Sequence, residues 1–318
     1  MARERQGQDS EHSLAIRAAW LHYVGGLTQS AVAKKLGVPS VKAHRLIAKA
    51  VAEGAVKVSI DGDIVECIEL EERIIEKYGL QSCEIAPDLS EEGVPFRALA
   101  MAGAGRLRRW LEAGKHTTIG IGHGRTLAAA VRAMPHFETQ GLRFVSLLGG
   151  LTRNFSANPH DVMHLLAEKT NAQAFVMPVP FFANTEEDRQ VLLSQNGVKE
   201  VFELAENSTL KIVGIGTAEV DTQLVNSGMI EPSEIAQIKK AGAAGEMLGH
   251  FFADDGSVLE TPLTSRTLAV SMEKGRTDRI VALAGGPNKV RALRAVLSSG
   301  RLSGLITDER TARELLKE

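Results

Sequence analysis

Aromatic residues make up only 4% of this 318-residue chain, with two tryptophans and two tyrosines. A core short of rings must be aliphatic, built from Ala, Val, Leu and Ile, and a hydrophobic content of 44% is enough to build one. Cysteine is scarcer still. Cys67 and Cys83 have no metal-like spacing, so they are expected as buried or free thiols in a reducing compartment, with no metal site. No apolar run approaches the roughly 18 residues that cross a bilayer. The opening MARERQGQDSEHS lacks the apolar stretch of a secretory signal. These gaps predict a soluble, cytoplasmic protein with no membrane partner.

Charge is ordinary in amount but uneven in place. Residues 1–60 hold nine Lys and Arg against four Asp and Glu, a balance of +5, while the whole chain is −2. The remainder is therefore −7. A basic head on an acidic body is the electrostatic footprint of a module that meets a polyanion. The length suits one small and one full-sized domain. The division expected is a DNA-binding winged helix-turn-helix over 1–62 and an effector-binding, oligomerising domain over 63–318.

Within the basic head, LTQSAVAKKLGVPSVKAHRLIAKA (27–50) reads as two short helices around a break. Thr28 is a good N-cap, and Gly37-Val38-Pro39 stops the first helix because proline cannot continue it. Ser40 is the next N-cap candidate. Ala33 and Ala43 supply the small side chains that two steeply crossing helices need where their backbones approach. The polar side chains Thr28, Gln29, Ser40, Lys42, His44, Arg45 and Lys49 can reach phosphates and major-groove base edges. A solvated basic hairpin would carry such a face too, but it would not explain the charge asymmetry. Ahead of this pair, residues 1–12 are expected to be disordered and 13–24 helical, with Leu14, Ala18, Leu21 and Trp20 packing inward. After it, two β-like runs around Asp61-Gly62 suggest a wing.

From about Glu66 the composition changes. A charged helix ends at Gly79, a short strand covers 83–86, and a helix rich in small residues covers 94–112. Buried-strand patterns then recur at 117–121, 142–148, 173–179, 211–215, 267–272, 279–284 and 302–306. Helical patterns lie between many of them, at 126–134, 160–170, 186–195, 233–241, 288–299 and 308–317. Alternation of this kind predicts an α/β fold with a mainly parallel, Rossmann-like sheet. Ligands of such sheets bind at the carboxyl ends of the strands.

Those ends are rich in glycine. The first carries Gly120-Ile121-Gly122-His123-Gly124-Arg125-Thr126, where outward amides, a helix N-terminus, Arg125 and the Thr126 hydroxyl suit a phosphate, with Thr126 capping the helix. The spacing is G-x-G-x-G, neither the dinucleotide fingerprint nor a P-loop, so no cofactor is expected. A tight turn without a ligand would share that pattern. Gly149-Gly150 follow the second strand and precede groups able to bind anions or hydroxyls. Lys289 lies in a helix's first turn, where a cation opposes the helix dipole, which suits a lysine facing a phosphate, although a lysine pointing to solvent would share that position. Glu246 and Asp254 lie in GAAGEMLGHFFADDG, where carboxylates serve as hydroxyl acceptors or as turn residues.

Together TQSAVAKKLGVPSVKAHRLI, IGIGHGRTL, LLGG, VGIG, GAAGEMLGHFFADDG, LAGGPNKVRALRAVL and GLITDERTARELL resemble the SorC family of sugar-responsive bacterial transcriptional regulators. The last two are the most specific, and the likeness runs from about residue 13 to the end. It implies an N-terminal DNA-binding domain, an effector domain like sugar-phosphate isomerases and deaminases, and oligomeric binding to operator DNA as a dimer or tetramer. It also implies a phosphorylated sugar or polyol effector. The phosphate-loop role falls on Gly122, Gly124, Arg125 and Thr126, the helix-start lysine role on Lys289, and the ligand-facing acidic role on Glu246 and Asp254. The stretch AIRAAWLHYVGGLTQ resembles erythritol-catabolism repressors within the family. His123 stands where an aromatic is common and Glu246 where Asp is frequent, so the identity of the sugar does not follow. The rival reading is a phosphosugar isomerase or deaminase with an appended DNA-binding domain. It needs an acid/base pair, and Thr217-Ala218-Glu219 does not supply a convincing one.

Overall fold

The computed structural model describes residues 2–53, 55–56, 64–151, 162–220, 222–271 and 279–317, with side chains from residue 11 onward. The chain splits into two compact units, Met1–Asp61 and Gly62–Glu318.

The described residues of the first unit form helices α1 (Ala2–Tyr23), α2 (Gln29–Leu36) and α3 (Ser40–Ala52). Thr28 caps α2 as expected, its hydroxyl accepting from the Ala31 N–H at 3.3 Å, and Gly37 ends the helix at φ 66°. For α3 the expectation is off by one. Pro39 is the N-cap residue and Ser40 is already helical. The core is small and aliphatic, with Ala15, Ala18, Ala19, Val32, Ala33, Ala43, Leu46, Ile47 and Ala50 all buried. Ala33 and Ala43, the small residues expected between the crossing helices, are both part of it. Trp20 does not join this core; it is 61% exposed. Helix α1 also starts far earlier than periodicity suggested, at Ala2 rather than Ser13. The expected wing falls mostly on 57–63, outside the described residues.

The second unit runs α4 (Val65–Tyr78), β1 (Ser82–Ala86), α5 (Phe96–Ala113), β2 (Thr118–Ile121), α6 (Arg125–Ala133), β3 (Arg143–Leu151), α7 (Met163–Thr170), β4 (Gln173–Pro180), α8 (Glu186–Ser194), α9 (Asn196–Glu206), β5 (Leu210–Val213), β6 (Gly216–Thr217), α10 (Gln223–Asn226), α11 (Pro232–Lys240), β7 (Ala243–Met247), β8 (His250–Ala253), β9 (Val258–Leu259), β10 (Arg279–Leu283), α12 (Val290–Ser298), β11 (Gly304–Asp308) and α13 (Glu309–Leu316). Seven strands form a parallel sheet in the order β1-β11-β10-β5-β2-β3-β4. The mainly parallel sheet expected from alternation is present, with two buried aliphatic clusters built on it. The order in which strands are added reverses about its centre: β2 leads outward to β3 and β4, whereas β5 lies on the other side of β2, next to β10. The crevice beyond the carboxyl ends of β2 and β5 is thus a topological switch point.

A second sheet was not foreseen. Strands β6-β7-β8-β9 pair antiparallel, and GAAGEMLGHFFADDG contains the β7–β8 hairpin rather than a loop. Its two turn residues, Leu248 and Gly249, have φ of 51° and 75°, the primed geometry whose twist matches the strands. The apolar run 267–272 is no strand within its described part. It forms isolated bridges, Leu148 with Ala269 and Phe182 with Thr267. Helix α9 was also missed, because Asn196-Gly197 at its start reads as a breaker.

Among the described residues of this unit Lys169 and Lys211 are buried, and each finds carbonyls near a helix end. Lys211 donates to the Glu206 and Ser208 carbonyls at 3.1 and 2.8 Å, and Lys169 to those of Arg132 and Met134 at 3.0 and 2.5 Å. Orphan carbonyls at a helix C-terminus offer partial negative charge to a buried ammonium.

Candidate functional site

In the first unit, α3 presents Ser40, Val41, Lys42, His44 and Arg45 to solvent. His44 Nδ1 and Gln29 Oε1 lie 3.1 Å apart, so the two residues brace each other across α2 and α3. Thr28 is occupied as the α2 cap. Lys49 departs from expectation. It lies near the end of α3, 3.8 Å from Glu11 and 3.9 Å from Glu53, which makes it part of an α1–α3 tie rather than of the free basic face.

In the second unit, a cavity of about 310 Å³ opens at the switch point. One wall is the start of α6. Gly124 is its N-cap at φ 133°, a conformation that glycine tolerates and L side chains resist. The amides of the first turn have no acceptor within the helix, and the helix dipole adds positive potential there. Arg125 and Thr126 line this wall. The Arg125 guanidinium also lies 5.7 Å from the Phe96 ring centre, which holds it over the opening. Thr126 is inside the helix, so it is not the cap expected of it.

The opposite wall carries Glu246 and Lys289. Glu246, on β7, is 6% exposed; Oε1 accepts the Gly249 N–H at 2.6 Å. Its other oxygen lies against the Gly216 backbone, where an added Cβ would come within 2.5 Å, so a side chain at residue 216 would displace the carboxylate from this position. Burial pushes the Glu246 carboxyl up to about 7, against the opposing pull of the Gly249 N–H and the Lys289 charge. Lys289 Nζ donates to the Ile215 carbonyl at 2.8 Å. Burial and then the nearby Arg125 charge bring its ammonium down to about 8, with Glu246 pulling the other way.

The loop that delivers Lys289 is fixed from behind. Asp308 Oδ2 accepts the Gly286 N–H at 3.2 Å and the Thr311 hydroxyl at 2.6 Å, and Thr311 Oγ1 accepts the Gly286 N–H at 2.8 Å. The AGGPNK and ITDERTA segments are thus two halves of one hydrogen-bonded unit. That joint role is invisible in either segment alone.

Of the predicted effector residues, the cavity unites Gly124, Arg125, Thr126, Glu246 and Lys289. Gly122 lies just behind it, its N–H spent on the Ile212 carbonyl at 2.8 Å. Gly149 and Gly150 are strand residues of β3, not a loop, and the Gly149 N–H bonds the Leu268 carbonyl. Asp254, just after β8, is exposed and does not line the cavity; it binds Arg291 in a two-pronged ion pair at 2.7 and 2.8 Å. That partnership holds its carboxyl below the usual range. The cavity adds His123, Leu248, Asn288 and the Thr222-Gln223 pair, which sequence reasoning did not select. Asn288 had a signal, since it adjoins Lys289. Thr222 and Gln223, at the start of the short helix α10, had none, because no local pattern tells that this helix end reaches the cavity.

A protein-family description reading "Putative sugar-binding domain" matches residues 62–317. The chain is 66% identical over 308 residues to the erythritol catabolism regulatory protein EryD of Brucella abortus (strain 2308), covering 97% of this chain and 98% of that one. It is 29% identical to the transcriptional regulator LsrR of Klebsiella pneumoniae, over 96% of this chain and 94% of that one. Among solved structures, the full-length sorbitol operon regulator SorC from Klebsiella pneumoniae superposes with a TM-score of 0.69 over 97% of this chain and all of that one, at 22% identity. That likeness is one of fold. The named relatives are regulatory proteins, which favours the non-enzymatic reading over the isomerase or deaminase. The chain belongs to the sugar-binding-domain family, whose matching relatives are transcriptional and catabolic regulators.

Proposed function

We propose that this regulator represses an operon for erythritol or a closely related polyol, and that a phosphorylated sugar or polyol bound in the second unit alters its grip on operator DNA. The observation that carries this is the convergence of Arg125, Lys289 and the α6 N-terminus on one cavity that also holds a buried carboxylate, in a chain so similar to an erythritol catabolism regulator. The cationic end suits a phosphoryl group, and Glu246 suits a ligand hydroxyl. Residues 1–62 read DNA through Gln29, Ser40, Lys42, His44 and Arg45, with Thr28 holding α2 in place. Residues 63–318 hold the effector and assemble copies of the chain, because recognition of paired half-sites calls for a dimer or tetramer. The protein works in the cytoplasm, where its effector is made; among the described residues no helix is long and apolar enough to cross a membrane.

Switching is a population shift. The effector must bind the DNA-competent and DNA-incompetent assemblies with different affinity, or it changes nothing. The test is fluorescence anisotropy on a duplex enriched by the full-length protein from a random-sequence pool, titrated with erythritol phosphate and with other sugar and polyol phosphates. Selective release by one phosphorylated polyol, with no release by unphosphorylated erythritol, is the expected result. Equal response to both would remove the phosphate from the scheme.

A further inference from the structure

Along α3 the side chains exposed at spacings of i, i+3, i+4 and i+7 are Val41, His44, Arg45 and Ala48. They form one outward face. Val41 is 73% exposed, more than any other large apolar side chain among the described residues. It is not among the apolar residues packed on the three-helix core. A solitary exposed valine is ordinary on a protein surface, but the setting of this one is not neutral. From Gln29 to Ala52 the chain carries five Lys and Arg and no carboxylate, so this surface complements a polyanion. Val41 is the second residue of α3, and the N-terminal residues of a recognition helix reach base edges first. Among the base edges that line the major groove, the apolar feature is the C5-methyl of thymine.

We propose that Val41 reads a thymine: its methyl groups pack on the C5-methyl of one thymine in each half-site, one helical turn from the groups that Arg45 contacts. This rests on the reading of the first unit as the DNA-binding domain. It adds an apolar recognition element to the polar base-edge contacts of Arg45, and phosphate contacts cannot stand in for it, since they position a protein without reading sequence.

The experiment uses the full-length protein and the pool-enriched duplex, with each thymine of one half-site replaced in turn by deoxyuridine, which removes only the methyl. At one thymine the replacement should weaken wild-type binding roughly fourfold, the factor for leaving one methyl-sized apolar group in water. In V41A the same replacement should have no further effect, while every other thymine behaves as in the wild type. Val41 is exposed and alanine favours helix, so the variant keeps its fold. V41S, similar in size to alanine but polar, should match V41A at that thymine. Enrichment of a sequence with no thymine whose methyl matters, or a methyl effect that persists in V41A, would overturn the role of Val41 and leave operator binding standing. Failure to enrich any sequence would overturn both.

Discussion

Replacing Glu246 with glutamine removes a charge from a site that disfavours it, and the effect should depend on pH in a direction the structure fixes. In the folded protein the carboxyl keeps its proton up to about pH 7, whereas the ordinary value is near 4.5. Between those values the folded state binds more protons than the unfolded chain, so this residue makes stability fall as pH rises through the window and stay level above it. The separation corresponds to about 3 kcal/mol against the ionised form. Glutamine keeps an oxygen to accept the Gly249 N–H, but it sets an amide against the Gly216 backbone and deprives Lys289 of an anionic neighbour. We therefore expect Glu246→Gln to gain about 2 kcal/mol relative to the wild type on going from pH 5 to pH 8. For a domain this size that is about 4–8 °C in melting temperature. Thermal unfolding of both proteins without effector, at the two pH values, measures it. An equal gap at both pH values, or a larger gain at pH 5, would refute the idea that burial governs this carboxyl.

Lys289→Met should leave operator affinity unchanged and weaken effector binding by about 2–5 kcal/mol, the cost of stranding a buried anion without its cation; calorimetric titration with the effector found by screening reads this, and a change below threefold would place the phosphate elsewhere. Asp308→Ala removes an acceptor that is 3% exposed and serves the Gly286 and Thr311 N–H groups and the Thr311 hydroxyl. It should cost about 2–4 kcal/mol of stability through the lost cap and the unsatisfied donors, and should weaken effector binding through displacement of Lys289; urea unfolding and the same titration check both. Arg45→Ala should weaken specific DNA binding by about 1–3 kcal/mol, measured by anisotropy, and unchanged affinity would remove Arg45 from the interface.

The amino-acid order determined those features that depend on neighbours along the chain. Thr28 caps α2 because a hydroxyl on the extended residue before a helix can accept from an amide of its first turn. Ala33 and Ala43 lie where small residues must lie, and strand-helix alternation dictated a parallel sheet. Gly124, Arg125 and Thr126 occupy the cavity because a strand-to-helix turn at a sheet's carboxyl end has nowhere else to point. Other outcomes belonged to tertiary structure. Glu246 and Asp254 looked alike as acids eight residues apart. Pairing of β6 with β7 set the first against Gly216, while the second, beyond the end of β8, lies in solvent beside Arg291. Gly149 resembled a loop glycine until β3 was extended past it by partners distant in sequence. Lys49 matched the basic face in periodicity, yet its placement beside Glu11 depends on where α1 packs. Local pattern sets which backbone conformation a segment takes, but whether a charge is buried, paired or free is a property of the surfaces that close over it.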